Sequence, residues 1–293
     1  MRKSTKTARR VVILRLKKIL LGFAYLLFAV FTLFPIIWIF SLSLKNFRDI
    51  IAYPPRLLFT PTLQNYAAIF VKDGAANLGS SLNYTEFLVN SLIITGCSVG
   101  LSALIGIPAS YALARFNFRR RDDLSFSILS LRFAPELLVI IPLYAVFQRL
   151  RLYDTYLGMV LVSQFITLPL FIWIMRSFFA EVPKEIEEAA AVDGCTTLQT
   201  MMKITLPITK PGIAGAMIVS FIFCWNNLLF GLVLSGANTQ PVTVAILQTM
   251  QFDQVNWGVM AAAAMVTIIP GLLVASYFER YLVRGLTMGA MKQ

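Results

Sequence analysis

Histidine is absent from all 293 residues, and cysteine occurs only at Cys97, Cys195 and Cys224. The three cysteines never stand at metal-ligand spacing and have no imidazole to join them, which excludes a zinc site and a Cys–His nucleophile. They read instead as small packed residues. No Gly-Lys dipeptide occurs either, so no P-loop can hold a nucleotide's phosphates. With no acid cluster beside a serine or cysteine, a membrane enzyme would lack an evident general base. Charge is scarce throughout, at 14%, where a soluble domain carries about a quarter. Acids are missing altogether from the first 18 residues, which hold eight basic ones.

What fills the chain is apolar: 58% hydrophobic residues, with a mean hydropathy of +0.73. A helix needs about 20 such residues to span the hydrocarbon. Uncharged stretches of 26 (Lys18 to Lys45), 28 (Glu86 to Arg115), 21 (Asp154 to Arg176), 42 (Lys210 to Asp253) and 25 (Asp253 to Glu279) meet that length. The reading is an all-α polytopic membrane protein with six transmembrane helices at 19–43, 87–114, 124–148, 156–178, 212–235 and 257–279. The basic head resembles a signal-peptide n-region, but the apolar run behind it is too long and has no small-residue cleavage site, so it is a retained span. The net charge of +12 is distributed for a membrane and not for nucleic acid. Nineteen basic residues fall on the side of the termini and six on the other. The positive-inside rule then makes both termini and segment 180–211 cytoplasmic. The organisation is a basic head (1–18), a membrane domain (19–280) containing the 180–211 loop, and a tail (281–293) whose residues 285–293 are too glycine-rich for a firm helix. The largest outer loop, 45–86, reads as extended and proline-punctuated.

One stretch breaks the pattern. Glu181, Glu185, Glu187 and Glu188 open a polar island that closes at Leu206-Pro207. Pro183 suits a first helical turn, and the acids favour the positive helix end. Asp193-Gly194 stops the helix, because glycine readily takes the left-handed conformation. Thr196 or Thr197 can cap a second helix that ends near Pro207. The island is thus a helix–turn–helix, with Ala189, Ala190 and Ala191 as a small-residue face. It is either a docking element or a solvated loop.

Glu188-Ala189-Ala190, Gly194 and Ile204-x-Leu206-Pro207 resemble, position by position, the EAA motif of bacterial ABC importer permeases. "IEEAAAVDG" is similar to the version in the carbohydrate-uptake branch, the maltose and glycerol-phosphate permeases. "CWNNLLF" (224–230) and "RYLVRGLTMGAMK" (280–292) resemble two further family segments, with a departure at Asn227 and Leu228. The resemblance covers roughly 19–292. It implies the permease subunit of an ATP-driven sugar importer, with no cofactor of its own. Its partners would be a second permease subunit (a heterodimer), a nucleotide-binding ATPase dimer and an extracytoplasmic solute-binding protein. It further implies a bacterial cytoplasmic (inner) membrane location, with Glu187, Glu188, Ala189, Ala190, Asp193, Gly194, Leu206 and Pro207 coupling to the ATPase. The alternative is an ion-coupled secondary transporter working alone.

Arg132 and Glu136 lie well inside the third predicted span. Each would cost several kcal/mol facing lipid, and as i,i+4 neighbours they are placed to pair. They are either a structural pair or a wall of the solute pathway, on a helix that Pro135 and Pro142 would kink. Trp225, Asn226 and Asn227 offer an aromatic plate and amides to a sugar, or hydrogen bonds between helices. Gly96-xxx-Gly100 and Ser102-xxx-Gly106 read as close-packing faces.

Overall fold

The computed structural model describes residues 2–70, 84–249 and 256–290, which contain helices and no strand. In chain order these are α1 (Arg2–Ser43), α2 (Phe47–Ile50), α3 (Gln64–Phe70), α4 (Tyr84–Arg115), α5 (Arg121–Ser130), α6 (Glu136–Arg149) and α7 (Tyr156–Glu181). They are followed by α8 (Lys184–Val192), α9 (Thr197–Thr200), α10 (Leu206–Ile208), α11 (Lys210–Trp225), α12 (Leu229–Leu234), α13 (Val242–Gln248) and α14 (Trp257–Ala290). Part of the expected 45–86 loop, residues 71–83, lies outside the described residues, as does the end of the tail, 291–293. The rest of the tail departs from expectation, since α14 runs on to Ala290. Each glycine costs about 1 kcal/mol in a helix, but a helix already nucleated by an apolar span propagates through it.

Among the described residues four helices are long and apolar enough to cross a membrane: Leu16–Ser43 within α1, α4, α7, and Trp257–Phe278 within α14. Two further bent helix pairs pass the same test, giving up to six spans among the described residues when each pair is counted once. Arg121–Phe133 meets Glu136–Arg149 at 90°, and Thr197–Ile208 meets Lys210–Trp225 at 78°. The single helix expected at 124–148 is therefore corrected, and the one expected at 212–235 is corrected separately, since α11 stops at Trp225 and α12 begins at Leu229. In the first, Pro135 forces the preceding residue out of the helical region, and Ala134 sits at ψ 128°. In the second, side-chain amides compete with the backbone. Asn226 Nδ2 donates to Ile222 O at 2.8 Å, and Asn227 Oδ1 accepts from Phe230 N at 3.1 Å. The first bond closes α11 and the second opens α12.

The most buried span is α7, which packs along α4 and α11, while α14 joins α11 to α1. A β-carbon on Gly106 would meet the Phe171 ring at 2.5 Å. Beside it Ser102 Oγ is hydrogen-bonded to Gln164 Oε1 and to the Thr167 hydroxyl, both at 2.7 Å. This half of the expected packing surface is used. The other half is not: Gly96 and Gly100 have open space around them, and neighbouring Cys97 is exposed, not packed. All three lie on the outer surface of the bundle. Cys224 is buried and Cys195 half-buried.

At the end of the bundle away from the island, Asp154 fastens two loops. Its carboxylate accepts from Gly236 N (2.8 Å), Thr239 N (3.0 Å), Thr239 Oγ1 (2.8 Å), Asn238 Nδ2 (2.8 Å) and Asn238 N (3.2 Å). Its own N–H donates to Leu234 O at 3.1 Å. Burial pushes this carboxyl up, but the donors outweigh it and hold its pKa below the usual range. The stabilisation is therefore complete above an ordinary Asp pKa near 3.9 and is lost as pH falls through the lowered folded value. Asp154→Ala should cost about 2 kcal/mol from the lost charge-assisted bonds. An unchanged midpoint in detergent thermal unfolding at pH 7 would contradict the staple.

Candidate functional site

The island hangs on one buried carboxylate. Glu187, in the first turn of α8, accepts from Arg115 Nε at 3.0 Å, Thr205 Oγ1 at 2.8 Å and the Tyr111 hydroxyl at 3.1 Å. Arg115 also donates to Val182 O at 2.7 Å, so it grips both ends of the α7–α8 corner. The Arg115 and Glu187 side chains are only 7% and 14% exposed. Arg115 is the last residue of α4, where a cation also suits the helix dipole. Thr205 reaches the carboxylate at the end of a π-helical turn, Met201–Thr205. These three partners of Glu187 were not anticipated from sequence. The available signal was helical spacing: Glu187 and Ala190 share a face at i,i+3, and both turn inward.

The other island residues divide by face. Glu188, Ala189, Asp193, Gly194 and Pro207 are exposed, whereas Ala190 is 3% exposed and Leu206 is half-buried in the Tyr111–Phe179–Met201 cluster. Ala190 is therefore no part of an approachable alanine surface. Gly194 takes φ +82°, and Cys195 N reaches back to Ala190 O at 2.9 Å, closing α8. Thr196 caps α9 through a reciprocal capping box with Gln199. Around the turn stand apolar side chains with no cover: Val192 at 88% exposure, Leu198 at 65% and Met202 at 58%.

A second site lies between the two broken helices. A cavity of about 360 Å³ is lined by Arg132, Glu136, Phe165, Phe223, Asn226 and Asn227, among others. The expected Arg132–Glu136 pair is not formed. The 90° break between them removes the helical spacing that pairing required. Arg132 instead lies over the Phe223 ring, 4.0 Å from its centroid, with a long 3.5 Å bond to Ile166 O. Glu136 accepts from Asn227 Nδ2 at 3.2 Å. Trp225 does not join them: it is buried, stacked on Phe221, and its indole donates to Thr267 O at 3.3 Å. Its role is to hold α11 against α14.

An all-helical membrane chain with broken spans, a polar cavity at the breaks and an apolar-tipped helix–turn–helix on one face defines a transport permease. Residues 106–288 match the family described as "Binding-protein-dependent transport system inner membrane component". The chain belongs to that family, as an inner-membrane ABC-importer permease and not a catalytic component. It is 33% identical over 276 residues to the "Probable ABC transporter permease protein y4oR" of Sinorhizobium fredii, covering 94% of this chain and 96% of that one. It is 30% identical to the "Trehalose/maltose transport system permease protein MalG" of Thermococcus litoralis, covering 94% and 98%. To the "Trehalose transport system permease protein SugB" of Mycobacterium tuberculosis it is 35% identical, covering 89% and 93%. The fold matches a chain from a bacterial ABC transporter that imports the acidic polysaccharide alginate, with TM-score 0.73, 23% identity, and 91% and 96% coverage.

Proposed function

We propose that this chain forms half of the translocation pathway of an ATP-driven sugar importer and is worked through residues 180–211 by a cytoplasmic ATPase. The carrying observation is the island's two-sided build. Glu187 locks its inner face to α4, while Glu188, Val192, Leu198 and Met202 face outward without cover. Contiguous exposed apolar side chains beside a charge mark a protein-docking surface. ATP hydrolysis then resides on a nucleotide-binding dimer, a second permease completes the pathway, and an extracytoplasmic protein delivers the sugar. The named trehalose and maltose permeases among the relatives support a sugar as cargo. In this arrangement the 1–18 head, the island and the 281–293 tail are cytoplasmic, around a 19–280 membrane domain. Arg132, Glu136, Asn226 and Asn227 belong to the solute pathway.

Val192→Glu should abolish co-purification of the ATPase dimer and leave the level of this chain in the membrane unchanged. Its side chain is already almost wholly in solvent, so folding gives it little reason to object. Full ATPase recovery with the variant would remove the docking face from consideration.

A further inference from the structure

Building on the reading of the cavity as part of the solute pathway, we infer that the cavity between the broken spans is itself a saccharide subsite, selective for neutral over anionic sugar units, with Glu136 as the discriminating residue. Its volume, about 360 Å³, falls within the range of about 300–1,000 Å³ usual for small-molecule sites. Its two charged groups are unspent. Arg132 makes one long bond to a helix carbonyl, and neither it nor Glu136 is in an ion pair. A guanidinium carries five donor N–H groups and a carboxylate about four acceptor positions, so both residues keep spare capacity where they line the cavity.

The geometry favours hydroxyls. The Arg132 guanidinium sits over the Phe223 ring, 4.0 Å from its centroid, and keeps N–H groups for an incoming oxygen. Glu136 is anchored through one oxygen by Asn227, leaving the other to accept from a hydroxyl. A vicinal diol can donate to Glu136 and accept from Arg132 at once, with Asn226 nearby at the end of α11. Phe165 offers the apolar wall that a sugar ring's C–H face needs. An anionic unit satisfies Arg132 but brings like charge against Glu136 inside a low-dielectric site, where such repulsion is strong. Neutral saccharides meet no such penalty, and Glu136→Gln would lift it.

The test uses the complex of both permeases with the ATPase dimer in nanodiscs, probed by saturation-transfer NMR with maltose, trehalose and digalacturonate. Maltose or trehalose should show transfer and digalacturonate none. Glu136→Ala should weaken the neutral probe by about tenfold, the loss of one charge-assisted hydrogen bond. Glu136→Gln, close to isosteric, should gain digalacturonate. Each variant is first required to elute as the intact complex, so loss of fold is not read as loss of binding. Equal transfer from digalacturonate and maltose in the parent overturns the selectivity, as does an unaltered preference in Glu136→Gln. Absence of transfer from all three overturns the subsite. A separate assay, ATP-driven uptake by proteoliposomes with the binding protein present, tells that failure from failure of the importer reading. Sugar uptake undiminished in Arg132→Met with Glu136→Gln keeps the importer and removes the cavity from the path. No ATP-driven uptake of any sugar removes both.

Discussion

Glu187→Ala should lower stability by about 3 kcal/mol, the low end of the cost of leaving one partner of a largely buried ion pair uncompensated. Arg115 would keep its charge, at 7% side-chain exposure, with only Val182 O to bond. The Tyr111 and Thr205 hydroxyls would lose their acceptor at the same stroke. Glu187→Gln should lose less, because the amide oxygen still accepts one bond. Replacing both members, Arg115→Met with Glu187→Gln, should regain much of the loss, since no charge is stranded. Thermal unfolding of the detergent-solubilised chain measures all three. A midpoint for Glu187→Ala within a degree of the parent would show that the pair carries no stability.

Gly194→Val produces the second large effect, on turnover and not on abundance. The φ of +82° at Gly194 is a conformation that a β-branched residue avoids. Nothing lies within 4 Å of where its β-carbon would stand, so the penalty is backbone strain of about 1–2 kcal/mol, with no clash. The turn relaxes by swinging α9 relative to α8, which separates Val192 from Leu198 on the outward face. Transport-coupled ATP hydrolysis should fall at least about tenfold, as a mispositioning of this energy implies, while membrane levels hold. Normal coupled turnover in a purified Gly194→Val complex would refute it.

How much of this could be read from the sequence depended on the range of the interaction. The spans followed from local composition, and so did the island's boundaries, because Pro183, Asp193-Gly194 and Thr196 act on their immediate neighbours. The break after Ala134 was visible as a proline, but its 90° size was not, because a proline kink is set by what packs on either side. The family resemblance groups Glu187 with the residues that couple to the ATPase, and nothing local marks it as an inward-facing ion-pair member. Its inward turn depends on Arg115, 72 positions away, and no local pattern reports a contact of that separation. Trp225 stays open in the sequence for the same reason: an indole suits a sugar or a helix–helix hydrogen bond equally well, and the contact with α14 decides for the second.

The broken spans also bear on how the chain is made. At 1.5 Å per residue, the 14 residues of α6 and the 16 of α11 reach about 21 and 24 Å, short of the roughly 30 Å of hydrocarbon. Neither can be released laterally into lipid by the insertion machinery as a finished unit, because the open backbone at Ala134–Pro135 and Asn226–Leu228 would enter with unmet polar groups. The continuous helices α4 and α7, joined to each other through Ser102, Gln164 and Thr167, must therefore already stand together in the bilayer to receive the half-length pieces. Biosynthesis then ends by docking those pieces, and the cavity exists only from that moment.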